Sequence, residues 1–164
     1  MRRPFLLCAL VALAVMLTGG GLLAVRTSAQ SATPAGGTTT LVLVEHNDAM
    51  TDVLQEESEG PAAGDLRVWG PNALYDESNT TDTGATSQGS CIALNAEFEC
   101  LLNETILFAD GSTLELQGIQ LAGAQPSTRT IVGGSGQYLG ATGTVSVAPT
   151  EDLLLWTKVI EITL

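Results

Sequence analysis

The sequence predicts an all-β fold, an eight-stranded antiparallel up-and-down β-barrel. Three observations lead there. Short runs of β-branched and aliphatic residues recur at the spacing expected of a sandwich or barrel. Turn formers separate them, notably Asp110-Gly111, Gly133-Gly134-Ser135-Gly136 and Pro149. Beyond the N-terminal leader no stretch carries a long apolar face at helical period. With 18 glycines and only 15% charged residues, the chain fits a turn-rich β protein rather than a disordered one.

The elements follow in order. Arg2 and Arg3 precede an uncharged stretch running from Pro4 to Val25, and Thr27-Ser28-Ala29 supplies small residues at a cleavage position. Residues 1–29 therefore read as a secretory signal peptide cut after Ala29, and the barrel as a secreted, extracellular domain. The alternative is an uncleaved N-terminal helix anchoring the domain at the cell surface, although Gly19, Gly20 and Gly21 would weaken such a helix. Residues 30–38 are small and polar and form a flexible linker. Residues 39–164 form the barrel, with strands expected at 40–45, 66–69, 90–94, 98–108, 112–121, 128–132, 143–147 and 153–164. Residues 47–63 are the one long loop, and its acidic cluster of Glu56, Glu57 and Glu59 reads as a solvated surface.

Charge narrows the function. Six Lys and Arg face 18 Asp and Glu, for a formal charge of −12. Removing the leader, with Arg2, Arg3 and Arg26, leaves three bases against the same 18 acids, or −15. Such a chain lacks the cations that nucleic acid requires and would be repelled by anionic membranes once the signal is cut. Its single histidine, His46, and two cysteines beyond the leader are too few for most zinc sites, so no metal is expected. The Gly133–Gly136 run is not a phosphate loop, because no Lys follows it, and no cofactor is expected.

Cys91 and Cys100 predict one disulfide in an oxidising compartment. A two-residue turn at Asn95-Ala96 would set Ala93 opposite Phe98 and Cys91 opposite Cys100 at a non-hydrogen-bonded site, with Cα atoms about 4.5 Å apart. Asn79-Thr80-Thr81 and Asn103-Glu104-Thr105 fit the glycosylation sequon.

Several segments then match one family pattern in order and spacing. They are Gly64-Asp65-Leu66, Asn72-Ala73-Leu74-Tyr75, Gly84 and Gly89 before Cys91, and Asp110-Gly111 leading into Leu114. The last is Ile131-Val132-Gly133-Gly134-Ser135-Gly136-Gln137-Tyr138, with Gly140 and Gly143 behind it. Together they resemble the allene oxide cyclase and dirigent superfamily, whose calycin-like barrels have eight strands. The resemblance covers roughly residues 64–147, most of the domain. It implies a barrel that binds an apolar, aromatic or phenolic small molecule and steers stereoselective coupling or cyclisation without oxidising it. Asn72, Cys91 and Phe98 fall on the family's pocket positions. The acidic residue of its first strand aligns with Val42 and its pocket tyrosine with Gln120, which implies an interior without the charge-stabilising carboxylate. Members often associate as trimers, which makes a homotrimer an assembly to test for.

Residue by residue, Asn72, Tyr75, Phe98 and Gln120 are the candidate ligand-binding side chains, with Arg129 at the rim. Arg129 would pair a ligand carboxylate or phenolate, or else form an exposed ion pair. Glu45, at the end of its strand, reads as a solvated terminus and His46 as a loop residue. Trp69 and Trp156 read as core or oligomer contacts. No nucleophile–base set can be assembled. Two other readings stay open, a lipocalin-like carrier and a structural barrel with no ligand. They divide on which alternate residues point inward.

Overall fold

In a computed structural model, residues 37–53 and 60–164 are described. The leader, nearly all of the linker and the acidic cluster Glu56, Glu57, Glu59 lie outside the described residues. Nine strands are present: β1 (Thr38–His46), β2 (Met50–Val53), β3 (Leu66–Tyr75), β4 (Asp82–Ala93), β5 (Cys100–Leu107), β6 (Thr113–Gln120), β7 (Ser127–Ser135), β8 (Thr142–Pro149) and β9 (Leu155–Thr163). From β3 to β9 every strand pairs antiparallel with the next. β1 pairs along its whole length with β9, and Val44 and Glu45 pair with Tyr75 and Leu74 of β3. That last contact closes an eight-stranded up-and-down barrel, with the short β2 paired to β3 alone.

Alternation along the strands decides what fills the interior. β5 buries Cys100, Leu102, Glu104 and Ile106 and turns the residues between them outward. β9 does the same with Lys158, Ile160 and Ile162. One half of the barrel is packed solid by Leu43, Leu74, Ile106, Leu114, Leu116, Ile131, Val145, Ile160 and their neighbours. The other half holds a smaller cluster of Cys91, Ala93, Phe98, Cys100 and Leu102, with Trp69 against it.

Three local features differ from the sequence reading. The long loop contains a strand, β2, which lies end to end with β1 along the same edge of β3. Its four residues are exposed and too few to show a period. The gap between β1 and β2 is bridged by Asn72, whose Oδ1 accepts from the Ala49 backbone N–H at 2.9 Å.

The β4–β5 hairpin turns through four residues rather than two. Leu94 N–H reaches Glu99 O, Asn95 Oδ1 accepts from Glu99 N–H, and Phe98 sits in the turn with φ of +64°. Asn95 acts through its side chain, which closes a wider loop than a type I′ turn would. Ala93 consequently faces Cys100, and Cys91 faces Leu102. The Cys91–Cys100 disulfide forms diagonally across the ladder, with Cα atoms 5.5 Å apart. Finally, Gly133 and Gly134 continue β7 instead of turning, and the turn is made by a short 3-10 segment at Gly136–Tyr138.

Candidate functional site

Four charged side chains meet inside the barrel. Glu45 comes from β1, Glu104 from β5, Arg129 from β7 and Lys158 from β9, and each is at most 4% exposed. Each stands in register with the inward apolar residues of its own strand, so the fold has no choice but to bury it. Lys158 Nζ is 2.7 Å from Glu45 Oε2 and also pairs with Glu104. Arg129 Nη1 pairs with the other oxygen of Glu104, and Nη2 donates to Gln120 Oε1 at 2.8 Å. Ser87 Oγ donates to Glu104 at 2.8 Å, and Asn72 Nδ2 to Glu45 at 2.8 Å. Two acids and two bases balance, which makes so much buried charge tolerable. The Arg129 Nε is the one buried side-chain polar atom without a partner among the described residues.

Burial and pairing compete in the ionisation of these groups. Burial raises the Glu45 carboxyl, but the Lys158 ammonium, the Asn72 amide and Arg129 together outweigh it and hold it below its ordinary value. Burial pulls Lys158 down to about 8 against the opposing attraction of Glu45, and pulls Arg129 down to about 10.

This layer floors a cavity of about 240 Å³ that opens at one end of the barrel. Glu45, Gln120 and Arg129 face it from the floor, and Trp69, Leu102, Trp156 and the disulfide line its wall. Met50, Glu97 and Leu153 stand at the mouth, and the buried Phe98 lines the cavity with them. Gly89 makes room for Trp69, because a Cβ there would lie 2.5 Å from the indole ring. The indole N–H points to Ser87 Oγ at 3.4 Å, tying the wall to the charged layer. At the rim, the Arg67 guanidinium lies 3.9 Å over the centre of the Phe98 ring and is held from behind by both oxygens of Asp52 at 2.5 and 2.7 Å.

Of the candidates read from sequence, Phe98, Gln120 and Arg129 line this cavity. Arg129 does so from the buried floor, not from an exposed rim, because its β7 position is inward. Asn72 is fully buried beside the cavity, with both ends of its amide engaged by Ala49, Glu45 and Asn47. Tyr75 points to the opposite face of β3 from Leu74 and stacks on His46, with ring centres 4.1 Å apart. His46 is the last residue of β1, paired with Leu155, rather than a loop residue, and its Nε2 is 2.7 Å from Asn79 Oδ1.

Two expectations are overturned. Glu45 is not a solvated strand end, and the interior does not lack a carboxylate, since both Glu45 and Glu104 lie within it. Trp69 and Trp156 pack against the two core clusters, as expected of core contacts, and line the cavity as well. Glu104 and Lys158 were not singled out by sequence at all. The signal that finds them is phase: a charge placed at i±2 from inward aliphatics, as in Leu102-x-Glu104-x-Ile106 and Trp156-x-Lys158-x-Ile160.

The same barrel occurs in solved structures. A pyocyanin demethylase superposes with a TM-score of 0.63 at 19% identity, over 76% of this chain and 99% of that one. A pterocarpan synthase dirigent protein gives 0.66 at 18%, over 78% and 85%. The fold is that of the dirigent and allene oxide cyclase-like barrels. A Diels–Alderase from Streptomyces koyangensis shares this dirigent-type barrel at 0.58 and 18% identity, over 82% and 72%. No protein-family model matches the chain, and no curated protein matches it in sequence.

Proposed function

We propose that the barrel takes up an apolar or aromatic small molecule in its open cavity and steers that molecule's cyclisation or coupling. The observation that carries this reading is the cavity itself, with indole and aliphatic walls above a floor of fixed charge. Ligand sites have this make-up, mostly apolar with a few polar groups that set orientation. At about 240 Å³ the cavity is somewhat smaller than the roughly 300 Å³ at which sites for drug-sized ligands begin, so it suits a compact ligand.

The chemistry is confinement. Holding a reactive chain or two rings in one geometry removes the entropy of finding it, and a wall of fixed shape favours one face of attack. The floor adds an electrostatic element. The Lys158 ammonium, the Asn72 amide and Arg129 hold the Glu45 carboxyl below its ordinary value, and a fixed carboxylate there stabilises positive charge developing on a bound intermediate. The kinship in fold with a pterocarpan synthase dirigent protein and with a cyclase that catalyses a [4 + 2] cycloaddition supports this reading. The N-terminal leader pattern supports export, so the ligand would be met outside the cell.

Native mass spectrometry of the mature protein from its host's secreted fraction tests the proposal. A small molecule that stays bound in the native protein and leaves on denaturation is the expected result. An empty protein that also takes up no phenolic or fatty-acid probe would sink it.

A further inference from the structure

Of the charged side chains that line the cavity, one has no ion-pair partner among the described residues. On the floor, Lys158 is matched by Glu45 and Arg129 by Glu104. At the rim, Arg67 is matched by Asp52 through two hydrogen bonds. Glu97 is left over. It lines the mouth, is exposed, and has no ion pair among the described residues. With Asp52, Glu104 and Lys158 counted as the partners behind the lining, one carboxylate without an ion pair thus remains beside the cavity, on a chain of formal charge −12. Such a field draws cations towards the opening and turns anions away. Behind the mouth stand both tryptophans of the chain, and an indole face is the best aromatic partner for a cation. The rim already holds one cation on a ring, Arg67 over Phe98, which shows that this surface accommodates such a pair.

We propose that the cavity selects a planar aromatic ligand bearing a positive charge, its ring against the indoles of Trp69 and Trp156 and Glu97 its counter-ion at the mouth. The proposal rests on the cavity being a ligand site and names the ligand's charge class. An anion would meet cations already engaged, Arg67 by both oxygens of Asp52 and Arg129 within the floor. The nitrogens of Arg129 that carry hydrogen bonds are spent on Glu104 and Gln120, and its Nε is buried.

Three probes of nearly equal shape test it by isothermal titration at pH 7: 1-methylquinolinium (cation), quinoline (neutral) and quinoline-4-carboxylate (anion). Tryptophan emission serves as a second readout, because both indoles line the site. The expected order of affinity is cation, neutral, anion, with the gap narrowing as salt is raised. Glu97→Gln should weaken the cation about two- to fivefold, as befits an exposed charge pair, and leave quinoline unchanged. An anion bound as tightly as the cation, or a cation indifferent to Glu97→Gln, overturns the charge preference while leaving the cavity a ligand site. Failure of all three probes to bind would overturn both readings.

Discussion

The buried charge layer can be tested at Glu104, its most heavily shared member. Its two oxygens accept from Ser87, Arg129 and Lys158 together. Glu104→Gln keeps the shape but supplies one acceptor oxygen where there were two, and its new NH2 must face a guanidinium, an ammonium or a hydroxyl. It also removes one negative charge from a balanced set, leaving Arg129 and Lys158 with Glu45 alone. Breaking a buried pair in this way costs about 3–5 kcal/mol. For a domain of this size that corresponds to a fall in Tm of roughly 10–20 °C. Adding Lys158→Met removes the surplus cation and leaves Glu45 facing Arg129. The double variant should therefore be more stable than the sum of the single effects by at least about 1 kcal/mol. Urea unfolding at pH 7, followed by tryptophan emission with the disulfide intact, gives all four corners of the cycle. If Glu104→Gln costs less than about 1 kcal/mol, or if the two substitutions add within about 0.5 kcal/mol, the layer is not the coupled unit described here.

Three further outcomes are expected. Replacing Cys91 and Cys100 together by Ala should cost about 2–3 kcal/mol in urea, because the bond closes a short loop and also anchors the turn that carries Phe98. Gly143→Ala should cost more than about 3 kcal/mol or prevent folding, since a Cβ there would fall 1.9 Å from the Glu161 carbonyl oxygen at a φ of +139°; a soluble variant of wild-type Tm would contradict this. The third concerns pH. Lys158 titrates at about 8 in the folded barrel against 10.5 when free, so between those values the unfolded chain binds the extra proton. This lysine's contribution therefore makes stability rise from pH 8 towards 10.5, and unfolding at pH 9 should take up a proton that Lys158→Met no longer takes up.

The barrel was legible in the sequence because its strands repeat with period two between turn formers, and that pattern depends only on local residues. β6 shows this well, since Leu114, Leu116 and Gln120 alternate inward as the pattern requires. The β4–β5 hairpin was less legible. A two-residue and a four-residue turn both close over Asn95, and the choice rests on a side-chain hydrogen bond to Glu99 that spacing alone does not reveal. β2 was invisible, because four exposed residues carry no periodic signal and pair only where β3 presents an edge.

The charged layer was missed for another reason. A lone Glu or Lys in a strand is ordinarily assigned to solvent, since burying it singly is prohibitive. Here the cost is met collectively. Glu45, Glu104, Arg129 and Lys158 lie 25 to 113 residues apart in sequence, from Glu104 and Arg129 to Glu45 and Lys158, and only barrel closure brings them together. The β1–β9 pairing does this for Glu45 and Lys158, and the β5–β6–β7 ladders do it for Glu104 and Arg129. The layer then separates two tasks within one small interior. Below it, aliphatic side chains fill the barrel and supply stability. Above it, the space need not be filled, because the polar floor satisfies its own hydrogen bonds and leaves the indole walls free to meet a ligand. A substitution such as Ile160→Ala should therefore act on stability alone, and Trp69→Ala on binding as well as stability, since that indole both lines the cavity and packs against the second core cluster.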